Sequence, residues 1–177
     1  MLVPKYRKML SNWDAPYIQS IVDTVEGQSK ATLATWCVDY AEAKLLPLYE
    51  AAYPTDMRPR NAITAARDWL AGKIKLPEAK ARILGCHAAA READGNPVAQ
   101  GAARAIGQAA ATIHAATHCM GLPLYGALAV AYDVLGLDAT WPQLEQAAAE
   151  ECAQMEAALR AVSVKNEPNP AKLNWKC

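Results

Sequence analysis

Between Val98 and Gly121 the chain reads VAQGAARAIGQAAATIHAATHCMG. Its apolar residues fall at Val98, Ala102, Ala105, Ile106, Ala109, Ile113, Ala116 and Met120. Spacings of three and four put these positions on one face of a helix. The opposite side, with Ala103, Gly107, Ala110, Ala111, His114 and His118, is also nearly uncharged. A helix apolar all round is buried all round. Arg104, Gln108 and the histidines interrupt it too often for a membrane span. The stretch therefore predicts one long buried rod, with small residues that let neighbouring helices come close.

The flanking sequence predicts more helices and no strands. Ile18, Ile21, Val22 and Val25 form a stripe opened by Asp14, Ala15 and Pro16 and stopped by Gly27. A second helix, capped by Ser29, runs from about Lys30 to Tyr53, with a kink or a break into two pieces expected at Pro47. A third, about 59–71, is expected to be capped by Asp56. A fourth begins at Pro77, and Asp94-Gly95-Asn96-Pro97 is a strong turn signal, which predicts an antiparallel helical hairpin with the 98–121 rod. Gly121-Leu122-Pro123 should break that rod. A shorter helix follows to Leu135, with Leu135 buried. The last helix, about 141–162, carries the stripe Trp141, Leu144, Ala148, Cys152, Met155, Leu159 and Val162, with its acids off the stripe. The expectation is one all-α domain over residues 1–177, about seven helices around a buried Ala/Gly-rich centre, with irregular ends at 1–13 and 164–177.

Charge is balanced overall, with 18 basic and 18 acidic residues, so no global field favours nucleic acid. Locally it is segregated. Residues 58–104 hold nine Lys or Arg against four acids, while 105–159 hold none against six acids. The last helix is thus expected to offer a negative face, with Glu145, Glu150, Glu151 and Glu156 as candidate binding residues. The five cysteines are odd in number and irregular in spacing, which fits reduced thiols and a cytoplasmic setting. MLVPKYRKML has no apolar core of a secretory signal, and neither a membrane nor a nucleic-acid partner is expected.

Three features carry candidate chemistry. His114 and His118 stand at i and i+4, a spacing metals use, but the Glu of the HExxH motif is missing. If the fourth helix pairs with the rod, positions summing to about 191 lie level. His87 is then opposite Arg104, roughly 15 Å along the axis from His114, so three histidines on one ion are not expected. Glu78, Asp39 and Glu42 are better candidate companions. Core or pocket-lining imidazoles remain the favoured reading, and no metal or cofactor is assigned. Cys86-His87 and His118-Cys119 point about 100° apart on a helix, which argues against thiol–imidazole pairs. Asp56 and Arg58 form a polar cluster suited to capping and bracing. No GxSxG, Walker A or dinucleotide fingerprint occurs in context.

An ordered set of motifs then becomes visible: W-C-x-x-Y-A-E at 36–42, LPLYE at 46–50, D-x-R-P-x-x-A-I at 56–63, A-R-x-W-x-x-G at 66–72, HAAAR at 87–91, and GQAAATIHAATH ending at 118. The set resembles a small all-helical bacterial family labelled "putative immunity protein". The resemblance implies a protein that binds and neutralises a cognate toxin, and it carries over no catalytic residues. Two other classes compete with it: a small-molecule or metal site around His114 and His118, and a structural homo-oligomeric helical module.

Overall fold

The computed structural model describes residues 5–175. Seven helical rods follow one another without a strand among the described residues. They are α1 (Pro16–Val25), α2 (Lys30–Tyr40) continued by α3 (Leu46–Ala52), α4 (Arg58–Leu70), α5 (Leu76–Glu92), α6 (Pro97–Ala111), a 116–135 rod ending in α7 (Leu128–Leu135), and α8 (Trp141–Val162). The all-α single-core expectation holds.

Helix α6 is the hub. From Ala99 to Ala111 only Gln100, Arg104 and Gln108 keep partial exposure, and α2 to α5 and the 116–135 rod all pack on it. Small side chains make this possible. A Cβ on Gly101 would lie 3.0 Å from Ala129, and one on Gly126 would lie 2.9 Å from Leu45. The α5–α6 hairpin pairs in the expected register: Cys86 Sγ donates to the Ala103 carbonyl at 3.2 Å and Gln100 Nε2 to the Ala90 carbonyl at 2.8 Å. Asn96 caps α6 by accepting Ala99 N–H at 3.1 Å.

The rod expected to run unbroken to Gly121 does not. Helix α6 ends at Ala111, and Ala115 is extended (φ −142°, ψ 107°) before a 3-10 turn at Ala116–Met120. No proline or glycine lies in 112–115; tertiary packing makes the break. Folding back buries Ala116, Cys119, Met120 and Leu122. Gly121 likewise does not stop a helix. It permits contact, since a Cβ there would lie 2.3 Å from Gln108 Cβ. The helix continues through a π-turn at Leu122–Ala127 into α7. This 116–135 run is the one described helix long and apolar enough to cross a membrane, and 61% of its most apolar window is buried inside the fold.

The kink expected near Pro47 is present as a second π-turn, Ala41–Leu45, where Leu46 N–H bonds the Ala41 carbonyl. The tetrapeptide Leu-Pro-Leu-Tyr occurs at 46–49, directly after the 41–45 π-turn, and at 122–125, within the 122–127 π-turn. Pro47 lacks an N–H and crowds the turn before it, and the wider 41–45 turn relieves both. Smaller departures follow from local geometry. Ala15, not Asp14, precedes α1, and Met57 precedes α4. Leu135 and Val162 end their helices exposed rather than buried.

Residues 164–175 of the C-terminal tail are irregular and tightly attached, and the last two positions of the expected irregular stretch lie outside the described residues. Gln28 and Val164 exchange two hydrogen bonds, at 3.1 and 2.8 Å. Glu167 accepts from Ser29 N–H and from the Ser29 and Thr32 hydroxyls, at 2.6–2.7 Å, a negative charge at the start of α2. Trp175 packs on Trp13 with ring centroids 5.3 Å apart.

Candidate functional site

The four acids assigned to a binding face do not share a surface. Tyr17 Oη on α1 donates to Glu145 at 3.0 Å. Ser20 Oγ donates to Glu156 at 2.8 Å, and Arg160 Nε adds a bond at 2.9 Å. Tyr40 on α2 donates to Glu151, which is only 6% exposed. The reading of all α8 acids as lying off the apolar stripe is thus corrected at Glu151. Positions 144, 148, 151 and 155, stepping by four, three and four, place it on the stripe, and the spacing alone could have shown this. Glu150 is exposed and, among the described residues, bonds only to Gln146 of its own helix. The pairings have electrostatic consequences. Burial, reinforced by Glu145, pushes the Tyr17 hydroxyl up to about 12. Burial also pulls the Glu156 carboxyl upward, but hydrogen bonds from Ser20 and Arg160 outweigh it and leave it below its ordinary range.

The histidines form a cluster that linear spacing did not anticipate. Arg104 Nη1 lies 2.8 Å from His87 Nδ1, the level pairing expected from the hairpin. Guanidinium can only donate, so Nδ1 accepts and the ring proton sits on Nε2. The break at 112–115 brings His118 back beside α6, with its Nδ1 2.6 Å from Gln108 Oε1. His114 stays next to His118, ring centroids 5.5 Å apart, through the turn rather than through a shared helix face. Nδ1 of His114 is buried without a hydrogen-bond partner. Gly107 clears the space for His87, whose ring atoms would be 2.6–3.1 Å from a Cβ there. Burial, then Arg104, His118 and Arg91, bring His87 down to about 4. Burial, then His118, Lys80 and Lys30, lower His114, and burial lowers His118. All three rings are therefore neutral at pH 7. Sequence reasoning placed Arg104 level with His87 but missed Gln108 as the partner of His118, because it looks like an interruption of an apolar rod.

The acids weighed as companions of the histidines are engaged or face elsewhere. Asp39 and Glu42 both accept from Arg67. Glu78 lines a cleft of about 190 Å³ with Arg82, Asn61 and Asp68. Among the described residues, no group of three or more His, Cys, Asp or Glu is arranged to hold a metal ion. Cys37, Cys86, Cys119 and Cys152 are buried free thiols, and burial raises each above its ordinary value.

Asp56 and Arg58 make a brace. Arg58 holds Asp56 through Nε and Nη2 and reaches Glu92 at the end of α5 at 2.6 and 3.0 Å. Tyr49 Oη donates to Asp56 at 2.7 Å, and the Arg58 N–H at 3.1 Å. The Arg58 hydrogen bonds hold the Asp56 carboxyl well below the usual range. The cluster ties α3, α4 and α5 together.

These features define a closed helical domain with half-buried polar seams between its rods. A family model described as Imm-5 like putative immunity protein matches residues 23–158, and the chain belongs to that family. The match reaches beyond the motifs at 36–118, taking in part of α1 and most of α8. No curated protein and no solved structure matches the chain.

Proposed function

We propose that this protein binds and neutralises a cognate bacterial toxin in the cytoplasm, by occupying it rather than by any catalysis of its own. The observation that carries the reading is the family match across residues 23–158. The physical character of the domain agrees with it. A fold braced by an Ala/Gly hub and by several inter-helix ion pairs presents a pre-organised surface, and pre-organisation lowers the cost of association. Of the four acids first expected to meet a toxin, Glu150 is the one that engages no other helix.

The test is genetic and then biochemical. The products of reading frames adjacent to this one in its native genome are expressed singly in a heterologous host, with and without this chain. Growth arrest by one of them, relieved by this chain, and recovery of a stable complex from purified components are the expected results. A set of neighbours that includes a growth-arresting protein which this chain neither relieves nor binds would overturn the proposal.

A further inference from the structure

The surroundings of the three imidazoles are electrostatically one-sided. His87 feels Arg91 from its own helix, Arg104 from α6 and His118 from the folded-back segment. His114 feels Lys80 from α5, Lys30 from α2 and His118. The charged side chains acting on His87 and His114 are all cations, while His118 feels burial alone. No carboxylate forms an ion pair with Lys80, Arg91 or Arg104 among the described residues; Glu92, whose carboxyl feels Arg91, is gripped by both terminal nitrogens of Arg58. Elsewhere four arginines do meet acids: Arg58, Arg60, Arg67 and Arg160 each have a carboxylate. The cluster is reachable from outside, since all three rings are half-buried, Lys80 and Arg91 are exposed, and Leu84 between them on α5 is 66% exposed. Nδ1 of His114 is shielded from solvent and has no hydrogen-bond partner among the described residues, so the ring keeps no internal bond at that atom to fix its protonation.

We propose that this imidazole cluster, flanked by Lys80, Leu84 and Arg91, is where the chain docks an acidic segment of its protein partner, with a partner carboxylate seated over His114 and His118. This rests on the immunity reading above and specifies its chemistry. The cations favour encounter with an acidic surface, and Leu84 supplies apolar contact beside them. The seat also couples to protons. His118 Nδ1–H donates to Gln108, which leaves Nε2 with a lone pair that repels a carboxylate until it is protonated. An arriving carboxylate offsets the repulsion from Lys30, Lys80, Arg91 and Arg104, so the imidazoles take up a proton from solvent on binding. Binding therefore tightens as pH falls from 7 towards 5.5 and weakens with salt.

The probe is deca-glutamate, with deca-glutamine and inorganic phosphate as comparisons at matched ionic strength, read by the imidazole C–H signals in NMR of the full chain. Deca-glutamate should shift the His114 and His118 signals and move their protonation to higher pH. The double variant Lys80→Glu/Arg91→Glu changes only exposed, unpaired positions, so its thermal midpoint should be retained while its affinity for deca-glutamate falls at least tenfold. Unchanged imidazole signals with deca-glutamate, or a double variant that binds it as well as the parent, would overturn the proposal. Signals that respond to phosphate but not to deca-glutamate would also overturn it, in favour of a small-oxyanion site. In the growth assay, a double variant that still relieves arrest fully overturns this docking site and leaves the immunity reading standing. A parent chain that relieves nothing overturns the immunity reading, and the peptide titration still decides the carboxylate seat.

Discussion

The acids of α8 and the cations around the three imidazoles look equally available when read along the chain, and the fold treats them in opposite ways. Glu145, Glu151 and Glu156 each accept a hydroxyl from α1 or α2, so the negative helix largely faces inward. Among the described residues Lys80 and Arg91 form no ion pair, and α5 turns them outward beside half-buried histidines. A run of like charge along a sequence thus says little about the charge a partner meets. What matters is which charges have found internal partners, and a hydroxyl contributed from a distant helix can hold a carboxylate away from a partner's reach.

The comparison can be broken at several points. The largest effect is expected at Gly121, where the folded-back segment meets α6. Gly121→Ala puts a Cβ 2.3 Å from Gln108 Cβ; neither atom can rotate away, so the backbones must part. A loss of about 3 kcal/mol is expected in urea denaturation, with His118 losing its contact to Gln108. Unchanged stability would mean that the segment does not lie on α6 as described.

On the acidic side, Tyr40→Phe removes the hydroxyl that Glu151 accepts and strands a buried carboxylate. About 2 kcal/mol should be lost, and clearly less for Tyr17→Phe, whose acceptor Glu145 is partly exposed. Equal costs at the two sites would show that Glu151 is no more committed to the interior than Glu145.

The imidazoles make a pH prediction of moderate size. Their folded values are lowered, His87 to about 4, so the unfolded chain binds more protons once pH drops below about 6.5. Stability should be fully present above that point and fall as pH decreases towards 4. The lowered carboxyls Asp56, Glu92, Glu156 and Glu167 act only below their ordinary values of 3.8 and 4.5, so the window from 6.5 to about 4.5 isolates the histidines. Each kcal/mol lost lowers the melting midpoint by about 2–4 °C in a domain of this size. A midpoint that stays flat from pH 7 to 5 would contradict the cationic surroundings assigned to the rings. The smallest effect belongs to Glu150→Gln, which should change stability by less than about 0.5 kcal/mol; a larger loss would reveal an internal partner for that acid.

Much of the fold was legible in the sequence. The stripe of α1, most of that of α8, the 94–97 turn and the buried character of 98–111 follow from periodicity, because a helix turns a spacing of three or four directly into a face. The α5–α6 register was legible too, because a tight turn fixes which residues lie level, and His87 does meet Arg104. The break at 112–115 was not. Local propensity favours continuing the Ala-rich helix there, and the energy that stops it comes from apolar side chains that find burial only after the chain turns back. The same long-range term decides the candidate site. The sequence by itself determined that this protein is an all-helical domain built on a small-residue hub, since the spacing of apolar residues is a local property. Only the tertiary structure decided that His118 returns to Gln108 and that Glu145, Glu151 and Glu156 turn towards α1 and α2, because those contacts join residues brought together by packing rather than by position along the chain.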